Sequence, residues 1–259
     1  MAIMASQIQT ALNWTRESYD LFRRAPRKWL LLSFTYIFFF LLLPTLPGLQ
    51  LISLVIVLVW PIFLAFALSL YRNADQNKLA TLSKVFETVK PYLITLVSLG
   101  LVCFIYGVLV GFLLNNDLEG IIKFSNAKVV NNAAMMQILT IITKAMFFML
   151  PLFMMTWFSP MLIKQNGYTL THALKSSIAG CLQYFVALSI TWLLITVAII
   201  VLMLVLGITS GILGALLPLF GKLLMPMVML FNIVLATALM LAFQYISYRD
   251  VFKAATTLD

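Results

Sequence analysis

Between Lys175 and Lys222 the chain carries no Asp, Glu, Lys or Arg at all. A soluble fold has too little surface to hide so long an uncharged apolar stretch, whereas a bilayer accommodates it directly. About 20 apolar residues at 1.5 Å rise cross a hydrocarbon core of roughly 30 Å. The same reading finds six candidate spans, at 29–46, 49–70, 93–114, 138–160, 184–206 and 223–247. Composition agrees: 63% of the 259 residues are hydrophobic, and 10% are charged, against roughly 25% charged in soluble domains. Mean hydropathy is +1.06. These values exclude a soluble globular enzyme, a disordered chain and a disulfide scaffold. Cys103 and Cys181 both lie in apolar surroundings and form no metal or redox spacing.

The expected fold is all-α: a single polytopic membrane domain over 1–259, with six spans arranged as three hairpins. Pro44-Thr45-Leu46-Pro47-Gly48 carries no charge and reads as a tight turn between spans one and two. The stretch 208–220 is harder to place, because Gly207, Ser210, Gly211, Gly214 and Pro218 crowd it, and Gly and Pro weaken a helix interior. It reads as an extension of the fifth helix, or as an interfacial or re-entrant piece.

The basic residues set the expected topology. A net charge of +9 invites a nucleic-acid reading, but the charges punctuate apolar runs instead of forming one stripe. Arg16, Arg23, Arg24, Arg27 and Lys28 precede span one. Arg72, Lys78, Lys84 and Lys90 lie between spans two and three, Lys164 and Lys175 between four and five, and Arg249 and Lys253 after span six. The opposite side holds Lys123, Lys128 and Lys222. With six spans, this bias puts both termini in the cytoplasm. A polar stretch precedes the first apolar run and no small-x-small site follows it, so a cleavable signal peptide is not expected.

Three cytoplasmic segments look alike. Ile8, Leu12, Tyr19 and Phe22 recur at helical spacing in the first. Leu79, Leu82, Val85, Phe86 and Val89 form a face in the second, and Leu170, Leu174, Ile178, Cys181 and Leu182 in the third. Each reads as an amphipathic interfacial helix of about three turns. The second and third align without a gap, Leu82 on Leu174 and Tyr92 on Tyr184. The chain therefore reads as three pseudo-repeats, about 6–70, 78–160 and 168–248, although any helix leaving a membrane has some of this character.

Glu17-Ser18-Tyr19-Asp20-Leu21-Phe22-Arg23-Arg24-Ala25-Pro26, Trp157-Phe158-Ser159-Pro160-Met161-Leu162 and Ser247-Tyr248-Arg249-Asp250-Val251-Phe252 resemble three hallmarks of a family of proteobacterial six-span inner-membrane proteins with no settled function. Ser159 departs from the more usual Ala, as does the polar stretch 115–132. The chain is more distantly similar to the membrane domain attached to some glycerophosphodiester phosphodiesterases, without their soluble catalytic domain. The resemblance implies a multi-pass protein of the bacterial inner membrane, and it implies no chemistry.

The residues do not supply a catalytic set either. Lys144 is the one ionisable residue inside a span, roughly 9 Å deep by helical rise. It either snorkels to the interface or faces inward as a counter-charge. The acidic residues all lie outside the spans, which argues against a proton relay. His172 is the only histidine and reads as a solvated or interface residue, not as a metal ligand or triad member. Clustered methionines such as Met225, Met227 and Met229 suit copper(I) chemically, but no Cys or His accompanies them, so they read as apolar filler. No cofactor or metal is expected.

The expected function is therefore non-enzymatic: an inner-membrane protein that binds lipid, or a membrane-protein partner or second copy, in a scaffold or assembly role. Arg23, Arg24, Arg27, Lys28 and Trp29 are the candidate contacts for anionic headgroups. The alternative is a small-molecule or lipid transporter with a cavity between kinked spans four and six, near Lys144, Pro151, Pro226 and Asn232.

Overall fold

The computed structural model describes residues 2–48, 52–78, 81–126 and 132–253, with side chains at 2–3, 53, 116–126, 132–134, 137, 218–222 and 253 left aside. Lys128 lies outside the described residues, as do the side chains of Lys123 and Lys222. Ten α-helices and no strand form the described fold: α1 Ala2–Arg24, α2 Pro26–Ile37, α3 Ile52–Asp75, α4 Leu82–Val89, α5 Leu93–Asn126, α6 Asn132–Thr156, α7 Ser159–Asn166, α8 Leu170–Gln183, α9 Phe185–Leu216 and α10 Pro218–Lys253. Six segments, Pro26–Thr45, Leu54–Asp75, Leu82–Asn115, Ile138–Asn166, Phe185–Leu216 and Leu223–Phe252, are long and apolar enough to cross a membrane. The protein is an all-α, multi-pass membrane protein.

Local chemistry explains the boundaries. Pro26 opens α2 at a position where its missing N–H is not needed. Span one then widens into a π-turn at Phe38–Leu42, tightens at Leu43–Thr45, and reverses at Gly48, whose φ of +85° suits glycine. The Thr81 hydroxyl accepts from Lys84 N at the start of α4. Gly167, at φ +66°, ends α7 in the left-handed conformation typical of helix C-termini. The stretch 208–220 is divided: 208–216 extend α9, which runs unbroken to Leu216, and 218–220 open α10. Gly207, Gly211 and Gly214 do not break it, because an apolar surrounding gives a backbone no partner except its own helix.

The spans touch in the order α9, α10, span one, α3, α5, α6, where span one meets α3 through Phe38–Leu42 and Leu43–Thr45 and α3 also packs on α10; α1 lies across α9 and α10. The two ends of this series, α6 and α9, do not pack extensively against each other among the described residues. Helices α3 and α5 approach most closely at Gly100, where an added Cβ would stand 2.5 Å from the Leu58 carbonyl oxygen. The densest core sits at one end of the bundle, where Trp14, Tyr71, Phe158, Met161, Leu162, Phe243 and Ile246 are fully buried.

A helix precedes the first span of each hairpin, of 23 residues in α1, 8 in α4 and 14 in α8, and its packed face coincides only in part with the one its apolar periodicity indicates. In α1 the bundle side is Ala11, Trp14, Ser18 and Leu21, whereas Ile8, Leu12 and Tyr19 are exposed. In α4, Val85 and Val89 pack while Leu82 and Phe86 face out. In α8, Ala173, Ser177, Gly180 and Cys181 pack, and Leu182 is 60% exposed. Small residues on the inner side let backbones come together. Leu170 and Leu174 also pack against the core, whereas Leu82, Phe86 and Leu182 are left on the outside.

Candidate functional site

The four basic segments read from the sequence meet at the densely packed end. Arg249, near the end of α10, is the hub. Its guanidinium donates Nη1 to Asp75 Oδ2 at 3.1 Å, Nε to Asp250 Oδ1 at 2.9 Å, and Nη2 to Glu17. Trp14 Nε1 donates to Asp250 Oδ2 at 3.0 Å, and the Tyr245 hydroxyl to Asp75 Oδ2 at 2.9 Å. The side chain of Arg249 is 23% exposed. Three carboxylates answer the planar fork of one guanidinium, an arrangement a lysine ammonium does not reproduce. Because α1, α3 and α10 each contribute, the hub fastens three elements that are far apart in sequence. All of these groups hold one another, so none is left to act on a substrate.

The aromatic core beside the hub is also satisfied. Trp29 Nε1 donates to Leu21 O at 3.1 Å, and its ring stacks on Tyr71 at 4.0 Å. Gln244 Nε2 donates to Trp157 O at 2.6 Å. Ser177 Oγ accepts from Phe158 N at 3.0 Å and donates to Met154 O at 2.7 Å. Burial pushes the Cys181 thiol up to about 12, so it stays protonated and inert.

On the membrane side of this core lies a cavity of about 510 Å³. Its walls come from five of the six spans: Tyr36 of span one, Trp60 and Leu64 of α3, Phe153 and Thr156 of α6, Ile199 and Met203 of α9, and Met229, Asn232 and Ala236 of α10. The lining is apolar and aromatic with sparse polar points. Trp60 Nε1 donates to the Tyr36 hydroxyl at 3.0 Å, which leaves the Asn232 amide as the notable polar group. Asn232 is 2% exposed. Its Nδ2 donates to Val228 O at 2.8 Å, while its Oδ1 has no partner. Phe153, Met203, Met229 and Ile233 line the cavity yet remain exposed, so it is open to one side. The exposed lining residues belong to α6, α9 and α10.

The sequence-derived candidates are placed as follows. Asn232 lines the cavity, whereas Lys144, Pro151 and Pro226 do not. Lys144 is exposed on α6, and the two prolines sit within otherwise continuous helices. Arg23, Arg27 and Lys28 are exposed, with the Arg23 guanidinium 5.7 Å from the Tyr19 ring centroid. Arg24 turns toward the C-terminus of α3, donating to Ala74 O and Asp75 O at 3.5 and 3.4 Å, where a cation suits the orphan carbonyls. Trp29 requires a correction as a headgroup contact. It is 4% exposed and its indole N–H is already used inside the protein. The tryptophan at a span boundary serves packing here, because Tyr71 of α3 offers it a flat apolar partner. The sequence reading missed the Arg249 hub, whose members lie as far apart as Glu17 and Arg249. It also missed Trp60 and Met203, which look like ordinary span residues.

His172 is exposed, with its ring 4.3 Å from that of Tyr168. Among the described residues no three His, Cys, Asp or Glu side chains stand together to hold a metal ion. Comparisons with protein-family models, with curated proteins and with solved structures give no match.

Proposed function

We propose that the protein is a non-enzymatic membrane protein of the bacterial inner membrane that holds a lipid by its hydrocarbon chain in the cavity between α3, α6, α9 and α10. The observation that carries this reading is the cavity itself, apolar, walled by five spans and open beside α6, α9 and α10. A chain moving from bilayer to cavity gains no hydrophobic free energy, since both are apolar. Selectivity then rests on dispersion contacts with aromatic and methionine walls. It also rests on Asn232 Oδ1, an acceptor whose burial without a donor is costly and which a lipid hydroxyl or amide satisfies.

The outward residues of α1, α4 and α8 support the same reading. Ile8, Leu12, Phe86 and Leu182 face away from the bundle, as expected of helices lying at a lipid interface. Arg23, Arg27 and Lys28 stand beside them as anionic-headgroup contacts, each worth about 1 kcal/mol near an anionic leaflet. The basic bias orients this end, with both termini, toward the cytoplasm. The lateral opening also favours lipid transport as a second reading. Retention without flux separates binding from transport.

The test is lipid retention. Ala236 lines the cavity, and Ala236→Trp fills it. Native mass spectrometry of parent protein stripped with detergent should show one lipid held tightly, and the variant should lose it while keeping its helical circular dichroism. Equal retention by both proteins contradicts the proposal.

A further inference from the structure

The cavity between the spans has apolar walls, and the few polar groups among them restrict what its occupant can be. Two of its hydroxyls are spent on their own helix: Thr156 Oγ1 donates to Leu152 O at 2.8 Å, and Thr237 Oγ1 to Ile233 O at 2.9 Å. Asn232 and Tyr36 keep unspent capacity. The Asn232 side chain is buried, its Nδ2 is tied to Val228 O, and its Oδ1 accepts from nothing. The Tyr36 hydroxyl accepts from Trp60 Nε1 at 3.0 Å, and its own proton goes to no described residue. The same cavity therefore offers an idle acceptor and an idle donor. Buried polar groups are ordinarily satisfied, and an unmet one is costly.

The two groups stand at a similar depth. Trp29 stacks on Tyr71 at 4.0 Å, and the Tyr71 hydroxyl donates to Ala238 O at 2.9 Å, so Trp29 and Ala238 lie close to one level of the bundle. By helical rise Tyr36 is about 10 Å beyond Trp29, and Asn232 about 9 Å beyond Ala238, both toward the opposite face of the membrane. Counted from the other end of span six, Asn232 is about 13 Å from Leu223, near the middle of a hydrocarbon core about 30 Å thick. An ordinary ester-linked acyl chain presents only C–H groups at that depth. Its ester carbonyls stay near the interface, and they accept without donating.

We propose that the lipid chain seated in this cavity bears a hydroxyl near its middle. A hydroxyl donates its proton to Asn232 Oδ1 and accepts the Tyr36 proton on its oxygen, so one group answers both. An ether or ester oxygen only accepts, and an ammonium only donates. The inference rests on the proposed lipid-binding reading of the cavity and narrows its occupant to acyl chains hydroxylated at mid-length.

The experiment uses the full chain, stripped of lipid in detergent, and native mass spectrometry with fatty acids offered in equal amounts. Ricinoleic acid is oleic acid with a hydroxyl near the middle of the chain, so the pair differs in one group. The parent should retain ricinoleic over oleic acid by about tenfold, the size expected of hydrogen bonds that the plain chain does not form. Alpha-hydroxyoleic acid, whose hydroxyl stays beside the carboxylate, should be retained no better than oleic acid. Asn232→Leu and Tyr36→Phe should each cut the preference severalfold and leave oleic acid bound. Should Tyr36→Phe fold poorly because Trp60 loses its acceptor, Asn232→Leu carries the comparison, since it removes a group that has no donor. Ala236→Trp should lose both acids. Oleic acid held by the parent and lost from Ala236→Trp supports the cavity as a lipid site by itself. Against that background, equal retention of ricinoleic and oleic acid by the parent overturns the hydroxyl inference alone, as does a preference that survives Asn232→Leu or is matched by alpha-hydroxyoleic acid. If the parent retains neither acid, the cavity reading falls with it.

Discussion

At one end of the bundle Trp14, Tyr71, Phe158 and Phe243 are sealed among α1, α3, α7 and α10, and Glu17, Asp75 and Asp250 converge on Arg249. Along α6 and the later half of α9, by contrast, Met146, Phe147, Ile208 and Leu213 are more than half exposed. The first region is built as a water-soluble domain is, with a desolvated core gaining about 25 cal/mol per Å² of apolar area removed from water. The second gains nothing from covering apolar surface, because lipid tails are as apolar as leucine. Within the spans, helices are held by close approach, as between α5 and α3 at Gly100 against Leu58. Loose packing in that region is therefore compatible with a stable fold, and it is the setting in which an open cavity can persist.

Substitutions at the two regions should separate sharply. The largest effect is expected from Arg249→Leu, which leaves three carboxylates without their cation. A loss of roughly 2–4 kcal/mol follows from breaking a partly buried ion network, read as an earlier transition in an SDS unfolding titration. An unchanged transition would remove the hub from the account of stability. Gly100→Ala comes next at about 1–3 kcal/mol, the usual range for overpacking, because the obstacle is rigid backbone at 2.5 Å. If that variant is as stable as the parent, close approach is not what holds α3 to α5.

Ser177→Ala removes one side chain that bonds Phe158 N and Met154 O. It should cost about 1–2 kcal/mol in the same titration, with Ser177→Thr recovering part of the loss if the hydroxyl is the cause. Phe147→Ala should be the mildest, within about 0.5 kcal/mol, since that ring is 73% exposed. A large loss there would mean that α6 is covered by a partner and not by lipid.

The division between the two regions was only partly legible in the sequence. Uncharged runs and basic punctuation mark six spans and gather four segments at one end. Hydrophobic periodicity says that α1, α4 and α8 have apolar stripes, but it cannot say whether protein or lipid covers them. In α8 Leu182 turns outward, whereas Leu170, Leu174 and Cys181 of the same stripe pack on the core beside Ala173, Ser177 and Gly180. In a soluble helix Leu182 would be expected to turn in as well, because water penalises an exposed leucine and a membrane interface does not. The Arg249 hub was hidden for a different reason. Glu17, Asp75 and Asp250 are ordinary surface residues when read singly, and only the packing of α1 and α3 against α10 makes them one cluster. Asn232 stood out because an amide inside a span needs a partner. The wall opposite it, Trp60 and Met203, carries no chemical mark in a chain this rich in apolar residues.

The most direct measurement is crosslinking with a phospholipid that carries a photoreactive group near the end of one acyl chain, followed by peptide mapping. Met203, Met229 and Met240 line the cavity, whereas Met135 and Met146 face outward from α6. Adducts should concentrate at the three cavity methionines and disappear from them in Ala236→Trp, while adducts at Met135 and Met146 persist. Labelling spread evenly over all five methionines, unchanged by Ala236→Trp, would contradict a lipid chain seated between the spans.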